Sequence, residues 1–488
     1  MSKNNTICNT GKDRPRDRCG LCGVAGHAEA ARLTYFGLYA LQHRGQKSAG
    51  IAAFGGHRTQ RHAAAGLVSE VFSEKQLRSL KGTTAIGHVQ DAASRNLALA
   101  DFQPFTATHR DRTYSVAQNG SFTNLQRLRA ALQDKGAIFY SSIDCETIVH
   151  LLAHCREHAI ENALPSILEA IEGAYSLLLM VNDTLIAIRD PNGFRPLCLG
   201  ALDNGGYVVA SETCALDLIG ARFLRDIQPG ELLMIDPRGK HSIRLNADRP
   251  TRFCIFEQVY FARPDSAVFG ANVYQSRKRM GRVLARECRI DADLVMPFPD
   301  SGTYAALGYA QETGTAFEMG MIRNHYIGRT FIQPARNDRA FAVRMKLNPV
   351  AALLKDKRVV LVDDSAISGA TVSSKVRALR HGGAREIHLL VSCPPIRFAC
   401  HYGIHFPAEA KLLANERSVE QIQEHLGLDT LHFLSLEGLL QAAGGGDDAY
   451  CKACMDGEYP LACDPSPQAC KTIQTILTNP KEKPCIKR

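Results

Sequence analysis

Along residues 19–250 the apolar positions fall into short runs separated by glycine turns, at Ile51–Phe54, Thr84–Val89, Tyr114–Ala117, Ser176–Val181, Leu185–Ile188 and Tyr207–Ala210. Runs of that length bounded by turn formers predict strands. Between them, Leu125–Gln133 and Thr147–His158 space their apolar residues as helices do. The mixture predicts an αβ sandwich. The unbroken apolar block Ala174–Val181 is too short to cross a bilayer and predicts a strand buried on both faces.

Residues 251–440 carry a different pattern. Helical spacing at Tyr274–Cys288 and Gly369–Gly382 alternates with fully apolar strands at Leu294–Met296, Val359–Val362 and Ile387–Val391, which predicts a parallel, doubly wound sheet. Phe253–Phe261 reads as a further strand, opened by Cys254. Gly444–Asp448 reads as a linker into a cysteine-rich tail. With 488 residues and no internal repeat, the chain divides into two large domains plus terminal segments, with boundaries expected at 1–18, 19–250, 251–464 and 465–488.

Composition narrows the function. The excess of nine positive charges could serve nucleic acid, but spread without a long Lys/Arg run it suits small polyanionic substrates at least as well, and no nucleic-acid partner is expected. No apolar stretch is long enough for a membrane helix. The first eighteen residues are polar, unlike a secretory signal, so the sixteen cysteines are expected in the reducing cytoplasm, where grouped cysteines serve catalysis or metal binding. The scattered ones, Cys145, Cys155, Cys198, Cys214 and Cys288, read as core packing.

The sharpest chemistry lies at the end of the Val359–Val362 strand, in Asp363-Asp364-Ser365-Ala-Ile-Ser368-Gly369-Ala370-Thr371. A strand running into a small-residue turn and a helix start converges backbone N–H groups on one phosphate, with Ser365, Ser368 and Thr371 adding hydroxyl donors. Gly369 lets the ligand approach the backbone. The paired carboxylates can grip ribose hydroxyls directly or through Mg²⁺-bound water. A bare Asp-Asp pair would read as solvated acids, whereas the complete pattern resembles that of type I phosphoribosyltransferases, which use phosphoribosyl pyrophosphate (PRPP). A second strand runs into Pro297-Phe298-Pro299-Asp300-Ser301-Gly302, similar to that family's pyrophosphate loop except that Pro297 stands where the family has glycine. Asp300 and Ser301 would face the pyrophosphate, and Ser301 would share Mg²⁺ with Asp363 and Asp364. The stretch from Arg323 to Pro334, with Val343–Leu347, resembles the lid that closes over PRPP, with Arg329 and Lys346 as its cations.

Near the other end, Cys19-Gly20-Leu-Cys22-Gly23 opens an apolar strand and resembles the start of an N-terminal-nucleophile glutaminase. There the terminal amine, with a pKa near 8, serves as base for its own thiol, so residues 1–18 would be a propeptide. Cys22 is the alternative nucleophile, and its place in the strand assigns it to the core. Arg44 and Gly45 match the loop beside the nucleophile, Asn119-Gly120 the oxyanion pair, and Asp144 the carboxylate for the glutamine α-amine. Asp190–Arg195 and Ser211-Glu212-Thr213 match the domain's structural signatures. The order of these motifs resembles amidophosphoribosyltransferase across nearly the whole chain. That resemblance implies an αββα glutaminase domain followed by a type I phosphoribosyltransferase domain, with glutamine and PRPP as substrates. It also implies feedback by purine nucleotides and a homodimer or homotetramer.

Two features set the chain apart. Gln90 stands where the family has the arginine that pairs with the glutamine α-carboxylate, with Asp91 next to it, and Gln118 replaces the histidine before Asn-Gly. Exchanging a charged bidentate pair for one neutral hydrogen bond costs roughly 2–3 kcal/mol, on the order of 100-fold in binding. That opens two alternatives, a paralogue using free ammonia or another amine and a non-catalytic nucleotide sensor. Cys254, Cys400, Cys451 and Cys454 match the ligand set of the [4Fe–4S]-bearing subclass, although by spacing alone four thiolates suit zinc equally.

Overall fold

The computed structural model describes residues 19–91, 98–155, 157, 159–245, 249–324, 347–367, 369–404, 406, 412–415, 417–461, 472–473 and 476–477. The expected propeptide 1–18, the lid cations Arg329 and Lys346, and Ser368 lie outside the described residues, as do the side chains at 369–371 and Cys463, Cys470 and Cys485.

The first half forms thirteen described strands: β1 (Cys19–Ala25), β2 (Ser48–Gly55), β3 (Arg58–Ala65), β4 (Thr84–Gln90), β5 (Phe105–His109), β6 (Arg112–Phe122), β7 (Gly173–Val181), β8 (Thr184–Arg189), β9 (Cys198–Ala201), β10 (Tyr207–Ala210), β11 (Arg222–Asp226), β12 (Glu231–Asp236) and β13 (Gly239–Arg244). They build two antiparallel sheets, ordered β11-β9-β10-β1-β4-β2-β3 and β13-β12-β8-β7-β6-β5. Strand alternation explains how the sheets stack. Leu21, Ile86, Ala117, Leu178 and Met180 meet in one core between the sheets. The residues of opposite parity, Cys22, Val24 and Ile51, pack outward against helix Ala30–Ala40. On the far side Val116, Leu177 and Leu179 pack against helices Leu125–Gln133, Glu146–His154 and Ile160–Glu169. Four layers result, helix–sheet–sheet–helix. Strand β7 is buried at every position because both its faces are covered.

In the second half, strands Leu294–Pro297, Arg358–Asp363, Glu386–Val391 and Thr430–Phe433 lie side by side in that order, all parallel. Helices Val273–Glu287, Thr303–Thr313, Gly369–His381, Val419–Leu426 and Leu436–Ala443 accompany them. A single core, from Ile255 through Val362 to Leu440, unites this half. No helix among the described residues is long and apolar enough to cross a membrane.

Three expectations need correction. The stretch Phe253–Phe261 is not a strand. Only Phe253–Cys254 is extended, paired in parallel with Tyr450–Cys451, after which Glu257–Phe261 coils into a wide turn in which Ala262 N donates to Glu257 O five residues back. The apolar residues there satisfied a strand template, but Ile255, Phe256 and Val259 share one core while Glu257 must turn toward cations in the other half. The helix expected at Thr147–His158 ends at His154. Gly444–Asp448 is not a linker to a detached tail. Gly444 caps helix Leu436–Ala443 in the left-handed conformation, and the chain folds straight back so that Cys451 pairs with Cys254.

His88 on β4 lies wholly buried between the two sheets, with Nε2 donating to Gln118 O at 3.1 Å. Burial brings its imidazole down to about 3, against the opposing pull of that carbonyl. The unfolded chain binds a proton below pH ~6.5 that the folded protein refuses, so stability falls as pH drops from 6.5 toward 3, by about 1.4 kcal/mol per unit for this one proton. The His88→Gln variant should show a slope shallower by one proton in denaturation midpoints measured between pH 7 and 5. An unchanged slope would contradict this account.

Candidate active site

Strand parity places the nucleophile candidate. Cys19 shares the inward face of β1 with Leu21, and in the sheet it stands opposite Gln90 of β4, which shares a face with Ile86 and His88. Asn119 shares the inward face of β6 with Ala117. Cys19, Gln90 and Asn119 thus converge on the space between the sheets, and the His88–Gln118 hydrogen bond stitches the two sheets beside it. Both side-chain polar atoms of Asn119 are buried and have no hydrogen-bond partner among the described residues. A carboxamide in that condition fits a group waiting for a ligand. Gly45 packs flat on this edge: a Cβ there would come 2.4 Å from Gln90 N. The Gln90 side chain accepts from Ser48 Oγ at 3.3 Å. Asp144 Oδ2 accepts from Ser121 Oγ at 3.0 Å and from Phe122 N at 2.8 Å, which orients its carboxylate immediately beyond Gly120. Gln118 has the opposite parity from Asn119, so its replacement of histidine falls on the helical face. Cys22 is core as expected, its thiol pushed up to about 12 by burial.

Arg44 takes a different part from the one the sequence suggested. Its side chain is committed to carboxylates, with Nη1 donating to Glu212 at 2.8 Å and both Nη atoms donating to Glu257 at 2.9 and 2.7 Å. Nε reaches Cys19 O at 3.4 Å. Arg195 joins the same Glu257 oxygen at 3.2 Å and, through Nη2, the Tyr402 carbonyl at 3.1 Å. Arg44, Arg195, Glu212 and Glu257 are each at most 1% exposed. Burial pushes the Glu212 carboxyl up, but His43, Arg44 and Ser266 outweigh it and hold the group well below the usual carboxylate range. Sequence reasoning missed Glu257, although a lone acid in the run Ile255-Phe256-Glu257-Gln258-Val259 was a signal, because a charge in a buried stretch needs a partner.

At the carboxyl edge of the parallel sheet, Leu294–Pro297 and Arg358–Asp363 are neighbours in register, Pro297 opposite Val362. Their loops therefore meet. Ser301 Oγ donates to Asp364 Oδ1 at 2.7 Å, Ser365 Oγ donates to Asp364 Oδ2 at 3.0 Å, and Asp363 Oδ1 accepts Asp364 N at 2.9 Å. Gly302 is pressed on the neighbouring strand, where a Cβ would come 2.2 Å from Val362 O. Asp300 is exposed and paired with Arg323. Gly369 opens helix Gly369–His381 directly after this loop, and Thr371 lies in its first turn. Arg277, also missed in the sequence, is buried within reach of the charges of both Asp364 and Glu212; burial lowers its pKa against their pull. One guanidinium thus feels both sites.

Cys254, Cys400, Cys451 and Cys454 line a single pocket with Phe194, Arg195 and Tyr402. Desolvation pushes the Cys254 thiol up to about 12 against the pull of Arg195, and raises Cys451 and Cys454 further, with the neighbouring sulfurs adding to it. Among the described residues no three His, Cys, Asp or Glu side chains are grouped to hold a single metal ion.

A family model for a glutamine amidotransferase domain matches residues 90–218. The chain is 46% identical over 451 residues to a chloroplastic amidophosphoribosyltransferase of Glycine max, covering 92% of this chain and 79% of that one. It is 42% identical over 449 residues to the amidophosphoribosyltransferase of Bacillus subtilis, covering 91% and 94%. Among solved structures it resembles glutamine PRPP amidotransferase from B. subtilis complexed with ADP and GMP, with a TM-score of 0.87 at 42% identity over 91% of this chain and 98% of that one. A second, described as the allosteric regulatory enzyme of purine biosynthesis, gives a TM-score of 0.88 at 41% identity over 91% and 97%.

The Glu257→Gln variant should lose about 3 kcal/mol or more, because it leaves two buried guanidinium groups short of a counter-charge. Glu74→Gln removes exposed ion pairs to Arg32 and Arg78 in the sandwich half and should barely move the unfolding midpoint. Equal effects in chemical denaturation would refute the assignment of Glu257 as the buried tie.

Proposed function

The chain belongs to the amidophosphoribosyltransferase family, and from that footing we propose how its residues divide the reaction. Glutamine yields ammonia, which displaces pyrophosphate from C1 of PRPP to form 5-phosphoribosylamine, the first step of purine biosynthesis. The reading is carried by the meeting of the two loops at the sheet edge, where Ser301 and Ser365 hold Asp364 beside Asp363.

Cys19 attacks the glutamine side-chain amide and forms a glutamyl thioester, with its own terminal amine taking the thiol proton once residues 1–18 are removed. The Asn119 carboxamide and the Gly120 N–H hold the oxyanion. Asp144 receives the substrate α-amine. Gln90, its Oε1 engaged by Ser48, turns its Nε2 amide to the α-carboxylate. At the second site the Asp363 and Asp364 carboxylates hold the ribose hydroxyls, and Ser365, Ser368, Gly369 and Thr371 cradle the 5-phosphate. Asp300 and Ser301 face the pyrophosphate, with Arg329 and Lys346 closing over it. Mg²⁺ fits the oxygen set of Ser301, Asp363 and Asp364, where it would offset pyrophosphate charge. Cys254, Cys400, Cys451 and Cys454, which line one pocket, would hold a structural [4Fe–4S] cluster as four soft thiolate ligands. Purine nucleotides act as feedback inhibitors at the PRPP site, a reading supported by the relative solved with ADP and GMP. The assembly is a homodimer or homotetramer.

The ammonia-only paralogue and the sensor gain nothing from the comparisons, whose full-length relatives carry the name of the glutamine-using enzyme. PRPP-dependent pyrophosphate release should occur with glutamine and with ammonium, in protein whose mature chain begins at Cys19 by mass spectrometry. Asp364→Asn should abolish most of both activities. Release with ammonium alone would restore the paralogue, and release with neither would restore the sensor. Gln90→Arg should lower the KM for glutamine by about 10- to 100-fold through a charge-assisted pair, leaving ammonium use unaltered; an unchanged KM would count against the role given to Gln90.

A further inference from the structure

Gly120 is held between two backbones. It lies at φ +120°, and a Cβ there would come 2.0 Å from Ala174 O. On its other side sits Gly403 of the second half, at φ +108°, whose Cβ would come 2.8 Å from Gly120 Cα and 3.0 Å from Gly120 C. Neither neighbour is a flexible side-chain end that could swing aside. Gly403 is three residues past Cys400, and its corner is tied down on every side. Tyr402 O accepts from Arg195, Tyr402 N donates to Cys400 Sγ at 3.3 Å, and the Tyr402 ring stacks on Phe194 with centroids 4.7 Å apart. The Tyr402 hydroxyl donates to Leu461 O at 2.8 Å and accepts from Leu461 N at 2.9 Å. Cys400, Tyr402, Phe194 and Arg195 are all walls of the four-cysteine pocket.

We propose that the Tyr402–Gly403 corner is a positioning element of the glutaminase site, which seats the oxyanion-holding backbone at Gly120 and links it to the state of the four-cysteine pocket. The proposal rests on the reading of Asn119-Gly120 as the oxyanion pair. An oxyanion donor acts on the transition state far more than on bound substrate, so displacing it lowers kcat with little change in KM. A corner that served packing alone would instead weaken both half-reactions together.

The test uses cluster-loaded protein whose mature chain begins at Cys19. In Gly403→Ala, kcat with glutamine should fall about 100-fold while its KM stays within about 3-fold and ammonium-dependent pyrophosphate release is kept. Amide hydrogen exchange in the peptide spanning Asn119–Phe122 should quicken in the same variant, and also in Cys400→Ser. Tyr402→Leu adds no atom near Gly120 but removes the stack and the Leu461 bonds; it should shift kcat the same way by a smaller factor, and it carries the test if Gly403→Ala does not fold. Unimpaired glutamine use in Gly403→Ala, or equal loss of glutamine and ammonium activities in both variants, would overturn the proposal. If Asn119→Ala leaves kcat with glutamine unchanged, the oxyanion reading itself fails and the proposal falls with it, an outcome distinct from the other two.

Discussion

Four charges without water hold the two halves of this protein in one geometry. Arg44 and Glu212 come from the sandwich, Glu257 from the first turn of the second half, and Arg195 from the sandwich edge near the cysteine pocket. Each charge would cost several kcal/mol to bury alone, and in this arrangement each is matched by opposite charge at hydrogen-bond distance. The arrangement tolerates little sliding, because separating any pair leaves an unpaired ion in a dry place. That rigidity reaches both ends of the glutaminase site, through Arg44 to the Cys19 carbonyl and through Arg195 to the Tyr402 carbonyl beside Gly120. An apolar interface could give comparable stability, but it would permit small shifts that hydrogen-bonded charges forbid.

The same economy of position governs the sandwich. Period-two alternation sends one set of side chains into the intersheet core and the other into the helical layers, so the ends of β1, β4 and β6 deliver Cys19, Gln90 and Asn119 to one space without any special loop. Gly45 and Gly120 are glycine for close contact: each stands where another backbone occupies the place of a Cβ. In the second half, parallel pairing performs the equivalent task. Two strands in register end at the same edge, and two loops far apart in the chain, at Asp300–Gly302 and Asp363–Ser365, meet through the Ser301–Asp364 hydrogen bond. Arg277, buried and donating to the Gln258 and Ala262 carbonyls, feels the charges of both Asp364 and Glu212.

Local patterns were sufficient for much of this. The runs at Thr84–Val89, Tyr207–Ala210 and Ile387–Val391 became strands, and Leu125–Gln133 became a helix, because one face of each is covered by a core that the apolar spacing already described. An αβ sandwich and a parallel sheet follow from the same spacing, whereas the αββα layering was implied only by the resemblance to a known family. The motif around Asp363 and Asp364 stood out as a candidate because its residues are neighbours in the chain, whereas Cys19, Asn119 and Asp144, far apart in the chain, were candidates through the family resemblance.

What only the tertiary structure decided concerns contacts between distant segments. Apolar spacing cannot tell a strand from a wide helical turn when both faces are buried, so Phe253–Phe261 was misread, and Glu257 with it. A guanidinium beside a nucleophile loop looks like a substrate ligand until the partner carboxylates, here more than 160 residues away at Glu212 and Glu257, are seen to occupy it. The contact between Gly120 and Gly403 is invisible in either sequence context. Local spacing encodes which face of an element is apolar, whereas charge pairing and backbone contact depend on which segments meet, and that is settled only when the chain closes on itself.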